Sequence, residues 1–277
     1  MTASRATEDS PRSAYRVLEL RVTLLTVAVL LGFAAAAWWM TLGNAREMSS
    51  MVQGFASVGG GAMPFDMGAV VFLGMWTTMT VAMMFPTVAP IVLLHRMVVR
   101  RRGEGAAPTV GFVAGYLLIW AVSGVLPLAV LVGFRHLAQD STWVVRAGGV
   151  VLVLAGTYQF TRWKETCARA CRSPLTFLAT HNFGSGPLGV LRTGLSHGLY
   201  CLGCCWALMA VLLVVGLMNL TWMAGIAVIF LAEKHWRRGA LLATVVGVAL
   251  VCLGLAVLAH PPLLAAVAQT PAGPTVG

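Results

Sequence analysis

The stretch GLYCLGCCWALM, Gly198 to Met209, sets Cys201, Cys204 and Cys205 into a run of otherwise apolar residues. Leucine packs as well as cysteine in such a run and neither oxidises nor captures metal ions, so thiols grouped this tightly ask for a chemical reason. On a helix, His197, Cys201 and Cys205 follow one another at four-residue steps and Cys204 lies three beyond Cys201, so all four project within an arc of roughly 100°. Gly194 and Gly198 form a small-xxx-small pair beside them, which lets a second helix come close to that face. Cys-x-x-Cys is shared by redox dithiols and metal sites. Soft thiolate and thioether ligands favour Cu(I), whereas structural zinc usually takes two separated Cys or His pairs in a polar domain.

Other soft donors stand where they can join that group. The segment MWTTMTVAMMFPTVAP places Met75, Met79 and Met83 at four-residue steps with Met84 alongside, and Pro86 and Pro90 are expected to interrupt the helix there. In KETCARACRSP, Lys164, Cys167 and Cys171 share one face of a short helix ending near Pro174. Glu233 closes a later apolar run. The candidate metal set is therefore Cys201, Cys204, Cys205, Met83, Met84, His197, Cys167, Cys171 and Glu233, with a soft metal ion, Cu(I), as the cofactor. Each member has a plainer reading: the methionines as gap-filling packing, Glu233 as the interfacial partner of Lys234, Arg237 or Arg238. Cys252 reads as a small buried hydrophobe, and His95, His136, His181 and His260 as interfacial or loop histidines.

These residues need a membrane to position them. At 58% hydrophobic and 10% charged, the chain of 277 residues carries more apolar surface than one soluble core hides. The fold class expected is all-α, a polytopic transmembrane bundle of about seven spans. Candidate spans run over Leu20 to Met40, Phe65 to Leu94, Thr109 to Phe134, Thr142 to Phe160, Ser196 to Leu217, Leu220 to Ala232 and Ala240 to Ala259. With a cytoplasmic N-terminus, every one of the 19 basic residues except Arg46, Arg135 and Arg146 falls inside. Splitting the long apolar run near Asn219 into a hairpin is what keeps Lys234, Arg237 and Arg238 there. The expected layout is a disordered cytoplasmic tail over residues 1–15, a single transmembrane domain over 16–260 and an external tail over 261–277, with a mobile outer loop at Gly59 to Gly61.

The net charge of +10 is spread over short loops without a nucleic-acid-binding motif, so the lipid bilayer is the expected partner and nucleic acid is not. Asp66 and Glu233 fall near opposite faces, about 30 Å apart, too far to act as a carboxylate pair. Nucleophile-elbow, phosphate-loop and zinc-protease signatures are absent. The chain thus leans away from an enzyme.

The segments MTVAMMFPTVAP, YQFTRWKETCARACRSP and GLYCLGCCWALMAVLLVVGLMNLTWM with its closing Glu233-Lys234 resemble the bacterial integral membrane proteins grouped as domain of unknown function two-one-eight-two, described as predicted metal-binding proteins. The likeness covers about residues 65–260. It carries Met83, Met84 and Pro86, then Lys164, Cys167, Cys171, Arg172 and Pro174, then Gly198, Cys201, Gly203, Cys204, Cys205, Trp206, Met209 and Asn219. What the resemblance implies is metal binding in a multi-pass protein of the bacterial inner membrane, with no established reaction. Three functions stay open: Cu(I) handling, sensing or transfer near the cytoplasmic side; a thiol-redox membrane enzyme; and a non-catalytic subunit of a membrane complex. A membrane-protein partner or metallochaperone belongs to the first and last of these.

Overall fold

In the computed structural model the protein is all-helical; the structure describes residues 9–48, 69–137, 141–180, 186–217 and 219–268. The helices are α1 (Asp9–Met48), α2 (Ala69–Arg101), α3 (Ala107–Ser123), α4 (Val125–Leu137), α5 (Ser141–Tyr158), α6 (Arg162–Arg172), α7 (Pro174–Thr180), α8 (Pro187–Val215), α9 (Leu220–His235), α10 (Gly239–Ala259) and α11 (Pro262–Ala268). The glycine-rich loop at Gly59 to Gly61, Asp66, His181 and the last nine residues of the expected tail lie outside the described residues. α1 and α11 begin at Asp9 and Pro262, inside the segments expected to be tails.

Among the described residues five stretches are long and apolar enough to cross a membrane: Leu20–Gly43, Ala69–Arg101, Ala107–Gly133, Pro187–Val215 and Gly239–Ala259. A sixth arises if α5 and α6, bent by 63° at their junction, are counted as one broken span. The expected count of seven is not reached on length and apolarity. The sixth expected span is the 16-residue α9, which rises about 24 Å at 1.5 Å per residue against a hydrocarbon core of about 30 Å.

The two best-packed helices are α2 and α8, and glycine sets how near their neighbours come. A Cβ on Gly194 would strike the Phe112 carbonyl, and one on Gly198 would lie 3.0 Å from Ile119 Cβ, so α3 lies directly against α8 as the small-residue pair predicts. Gly156 and Gly254 do the same for α5 and α10, each facing the partner's backbone at 2.7 Å.

The prolines do not break α2, which stays helical through Pro86 and Pro90. A proline at 86 cannot donate to the carbonyl four residues earlier, and Trp38 Nε1 of α1 fills that vacancy by donating to Ala82 O at 3.0 Å. The neighbouring helix supplies the hydrogen bond that a kink would otherwise have exposed.

α8 begins nine residues before the expected start of the fifth span, with Pro187 in its first turn after Gly186 at φ 97°. Cys201 therefore lies about 21 Å along the helix from Pro187, near mid-length rather than close to an end.

Candidate metal centre

Four elements build the site: α2, α6, α8 and the C-terminal end of α9. α6 is the strongly amphipathic helix that the sequence predicts. Thr161 caps it by accepting from Lys164 N at 3.3 Å, Glu165 lies in its first turn, and Arg169 and Arg172 lie in its last. Its Lys164 and Ala168 face is buried against the bundle. Cys167 Sγ rests on Gly203, where an added Cβ would come within 2.6 Å of it.

One helical turn on, Cys171 Sγ stands 3.9 Å from Cys204 Sγ, and Cys204 Sγ stands 3.4 Å from Cys205 Sγ. Cys204 Sγ also donates to Cys201 O at 3.2 Å, one turn back on α8. Cys201, Cys204 and Cys205 are at most 3% exposed. Thiolates about 2.3 Å from a shared ion in tetrahedral geometry stand about 3.8 Å apart, so these separations are on the scale of a shared soft ion. The thiols approach in pairs rather than around one point, and among the described residues no three His, Cys, Asp or Glu side chains stand ready-formed around a metal position.

The polar surroundings of Cys201 were not foreseen. Tyr116 OH lies 3.2 Å from its Sγ, brought there by the glycine-mediated approach of α3. Lys234 Nζ donates to the same Sγ at 3.2 Å and to Thr87 Oγ1 at 3.2 Å. Lys234 does carry a sequence signal, an ionisable residue ending an apolar run, but that signal reads equally as an interfacial charge. Tyr116 carried no such signal beyond lying beside Gly115.

Glu233 is not a member of the thiol group, nor does it pair with Lys234, Arg237 or Arg238. Its carboxylate takes Lys164 Nζ at 2.9 Å with both partners buried, and its backbone carbonyl accepts from Arg172 Nε at 2.8 Å. Lys164 also donates to Gln159 Oε1. A carboxylate buried at this depth needs a cation with fixed geometry, and α6 provides it where the exposed arginines of the following turn cannot.

The methionines divide. Met84 Sδ lies 4.0 Å from Thr87 Oγ1, one side chain removed from Lys234, while Met83 is equally buried in the packed core. His197 lies one turn before Cys201 with its ring 4.9 Å from Phe177 and 6.0 Å from Tyr116. His95 corrects the expectation of an interfacial histidine: it is fully buried, stacked on Phe112 at 4.8 Å. Cys252 is exposed rather than buried, on a side of α10 that the described helices leave uncovered.

A cavity of about 200 Å³ opens beside the thiols, lined by Thr87, Pro90, Cys171, Arg172, His197, Cys201 and Lys234 among others. The arrangement offers soft sulfur donors on rigid helices, a cation among them and a way in. Among curated proteins and among solved structures nothing matches the chain significantly. Residues 73–257, well over half of the chain, match the model of the PpoB2 family, described as a copper chaperone, and the chain therefore belongs to that copper chaperone family of multi-pass membrane proteins.

Proposed function

We propose that this protein takes up copper as Cu(I) on the thiols of Cys171, Cys201, Cys204 and Cys205 and hands it on as cargo. The observation that carries the reading is the meeting of Cys171 from α6 with the Cys201, Cys204 and Cys205 face of α8, with sulfurs 3.4 to 3.9 Å apart. Thiolates supply the charge and softness that hold Cu(I) against water and carboxylates. Among the described residues the cavity wall carries thiols and no carboxylate, which supports a soft rather than a hard cargo. Met84 is the better placed thioether, behind Thr87, and Cys167 serves as a thiol at the edge of the group. In this reading the site opens to the cytoplasm of a bacterial cell, since the basic residues gather at its end of the bundle.

Copper retention by the detergent-purified protein under reducing conditions tests the proposal. Wild type is expected to keep Cu(I) against a moderate competitor, and the Cys201, Cys204, Cys205→Ser triple variant to release it. Equal retention by the two overturns the site. The Cys171–Cys204 separation also favours a second reading, thiol redox, in which the pair cycles through a disulfide. That reading requires reversible dithiol oxidation with no dependence on copper.

A further inference from the structure

The wall of the cavity carries a charge that a free copper ion does not need. Lys234 reaches it with Nζ 3.2 Å from Cys201 Sγ and 3.2 Å from Thr87 Oγ1, and only 9% of the residue is exposed. Among the described residues no carboxylate forms an ion pair with Lys234, since Glu233, the residue before it, turns to Lys164. Arg172 lines the same cavity, with His197 and His235, and no acidic side chain belongs to the lining among the described residues. Arg172 itself is held from outside, by the Glu233 carbonyl at 2.8 Å and by Glu165 at 3.5 Å.

An ammonium held inside a membrane protein by one thiol and one hydroxyl, with no carboxylate beside it among the described residues, offers a place for a further anion. Free Cu(I) is a cation, which Lys234 repels across a short, poorly screened gap. A copper ion wrapped in thiolates carries net negative charge and is attracted by the same field. The cavity volume of about 200 Å³ suits a small molecule and excludes a folded domain. Resting on the reading of these thiols as a Cu(I) site, we propose that the cargo enters as an anionic Cu(I)–thiolate complex of a small carboxylate-bearing thiol. Lys234, aided by Arg172, holds the carrier's negative charge while Cys171 and Cys201 replace its sulfurs.

The exchange is redox-neutral. Each step breaks one copper–sulfur bond to the carrier and forms one to Cys171 or Cys201. The proton of the incoming cysteine thiol passes to the departing carrier thiolate, so the carrier leaves as a neutral thiol group and copper stays Cu(I) throughout.

The test offers Cu(I) to the metal-free, reduced, full-length protein in detergent, complexed in turn by mercaptoacetate, 2-mercaptoethanol and cysteamine. These are thiols of similar size bearing a negative, neutral and positive group. Copper retained after rapid desalting is followed with time. Loading from mercaptoacetate is expected to run about tenfold faster than from cysteamine in wild type and in Lys234→Arg, and the ratio to fall towards one in Lys234→Met, where only Arg172 remains. The wild-type comparison needs no variant to fold. Equal rates from the three carriers in wild type overturn the proposal and leave copper binding intact. A ratio that survives Lys234→Met overturns the assignment of Lys234. Failure to retain copper from any carrier, and from Cu(I) in acetonitrile as well, overturns the copper site and this proposal with it.

Discussion

Cys204 is the thiol on which two elements meet, with Cys171 of α6 at 3.9 Å and Cys205 of its own helix at 3.4 Å. Serine at 204 keeps the shape and loses the soft charge, so the Cys204→Ser variant is expected to retain Cu(I) on the order of tenfold less well or worse, while Cys252→Ser matches wild type because that side chain lies on an uncovered face. Copper per protein after a competing chelator is the measurement. The buried Lys164–Glu233 pair makes a different kind of prediction. Lys164→Met leaves a carboxylate buried without its cation, which costs about 3–5 kcal/mol, whereas Lys164→Met with Glu233→Gln removes both charges and is expected to lose less than Lys164→Met alone. Thermal unfolding of the three proteins in one detergent reads this ordering, and an equal loss in both variants would show that the pair's charges are immaterial. The sequence made the thiols legible because helical spacing alone puts Cys201, Cys204 and Cys205 on one arc. It could not pair Glu233 with Lys164, since nothing local links residues 69 positions apart and nearer cations lay to hand.

The element on which the site depends is α6, an 11-residue helix folded against α8. Its docking was readable, because Lys164, Cys167 and Cys171 recur at one-turn spacing in a basic, capped segment. The length of α8 was not, since Pro187 to Leu195 mixes glycine and arginine with apolar residues and gives no continuous hydrophobic signal; the positive φ of Gly186 and the proline after it set the start. Two outcomes test the docking. In a background where Cys167, Cys201, Cys205 and Cys252 are serine, catalysed oxidation is expected to join Cys171 to Cys204 in high yield, and persistent failure would detach α6 from the bundle. In the otherwise native chain, Gly203→Val, whose Cβ would press within 2.6 Å of Cys167 Sγ, is expected to lower copper retention while α3 stays seated on the far side of α8.

At the scale of the whole molecule, the open matter is how many times the chain crosses the bilayer, and α9 decides it. By length α9 falls short, yet its two ends are fixed at opposite ends of α10. At its start, Asn219 Nδ2 donates to Ala268 O at 2.8 Å and Trp222 Nε1 to Val267 O at 3.0 Å, both in or beside α11, which follows the end of α10. At its close, Gly239 N donates to Trp236 O at 2.9 Å in the turn that begins α10. A helix tied to both ends of a 21-residue apolar neighbour is expected to traverse the same depth, with a shortfall of a few ångströms met by local thinning of the bilayer or by the exposed Arg237 and Arg238 reaching to the headgroups. A seventh crossing at α9 would keep Lys234, Arg237 and Arg238 on the side of Arg100, Arg101 and the basic face of α6. Reporters fused after Leu217, Gly239 and Gly277 are expected to read outside, inside and outside, the inside being the cytoplasm. Leu217 and Gly239 on one side would remove α9 as a crossing, and with it the reason for Lys234 to meet Cys201 at the same end of the bundle as Arg172.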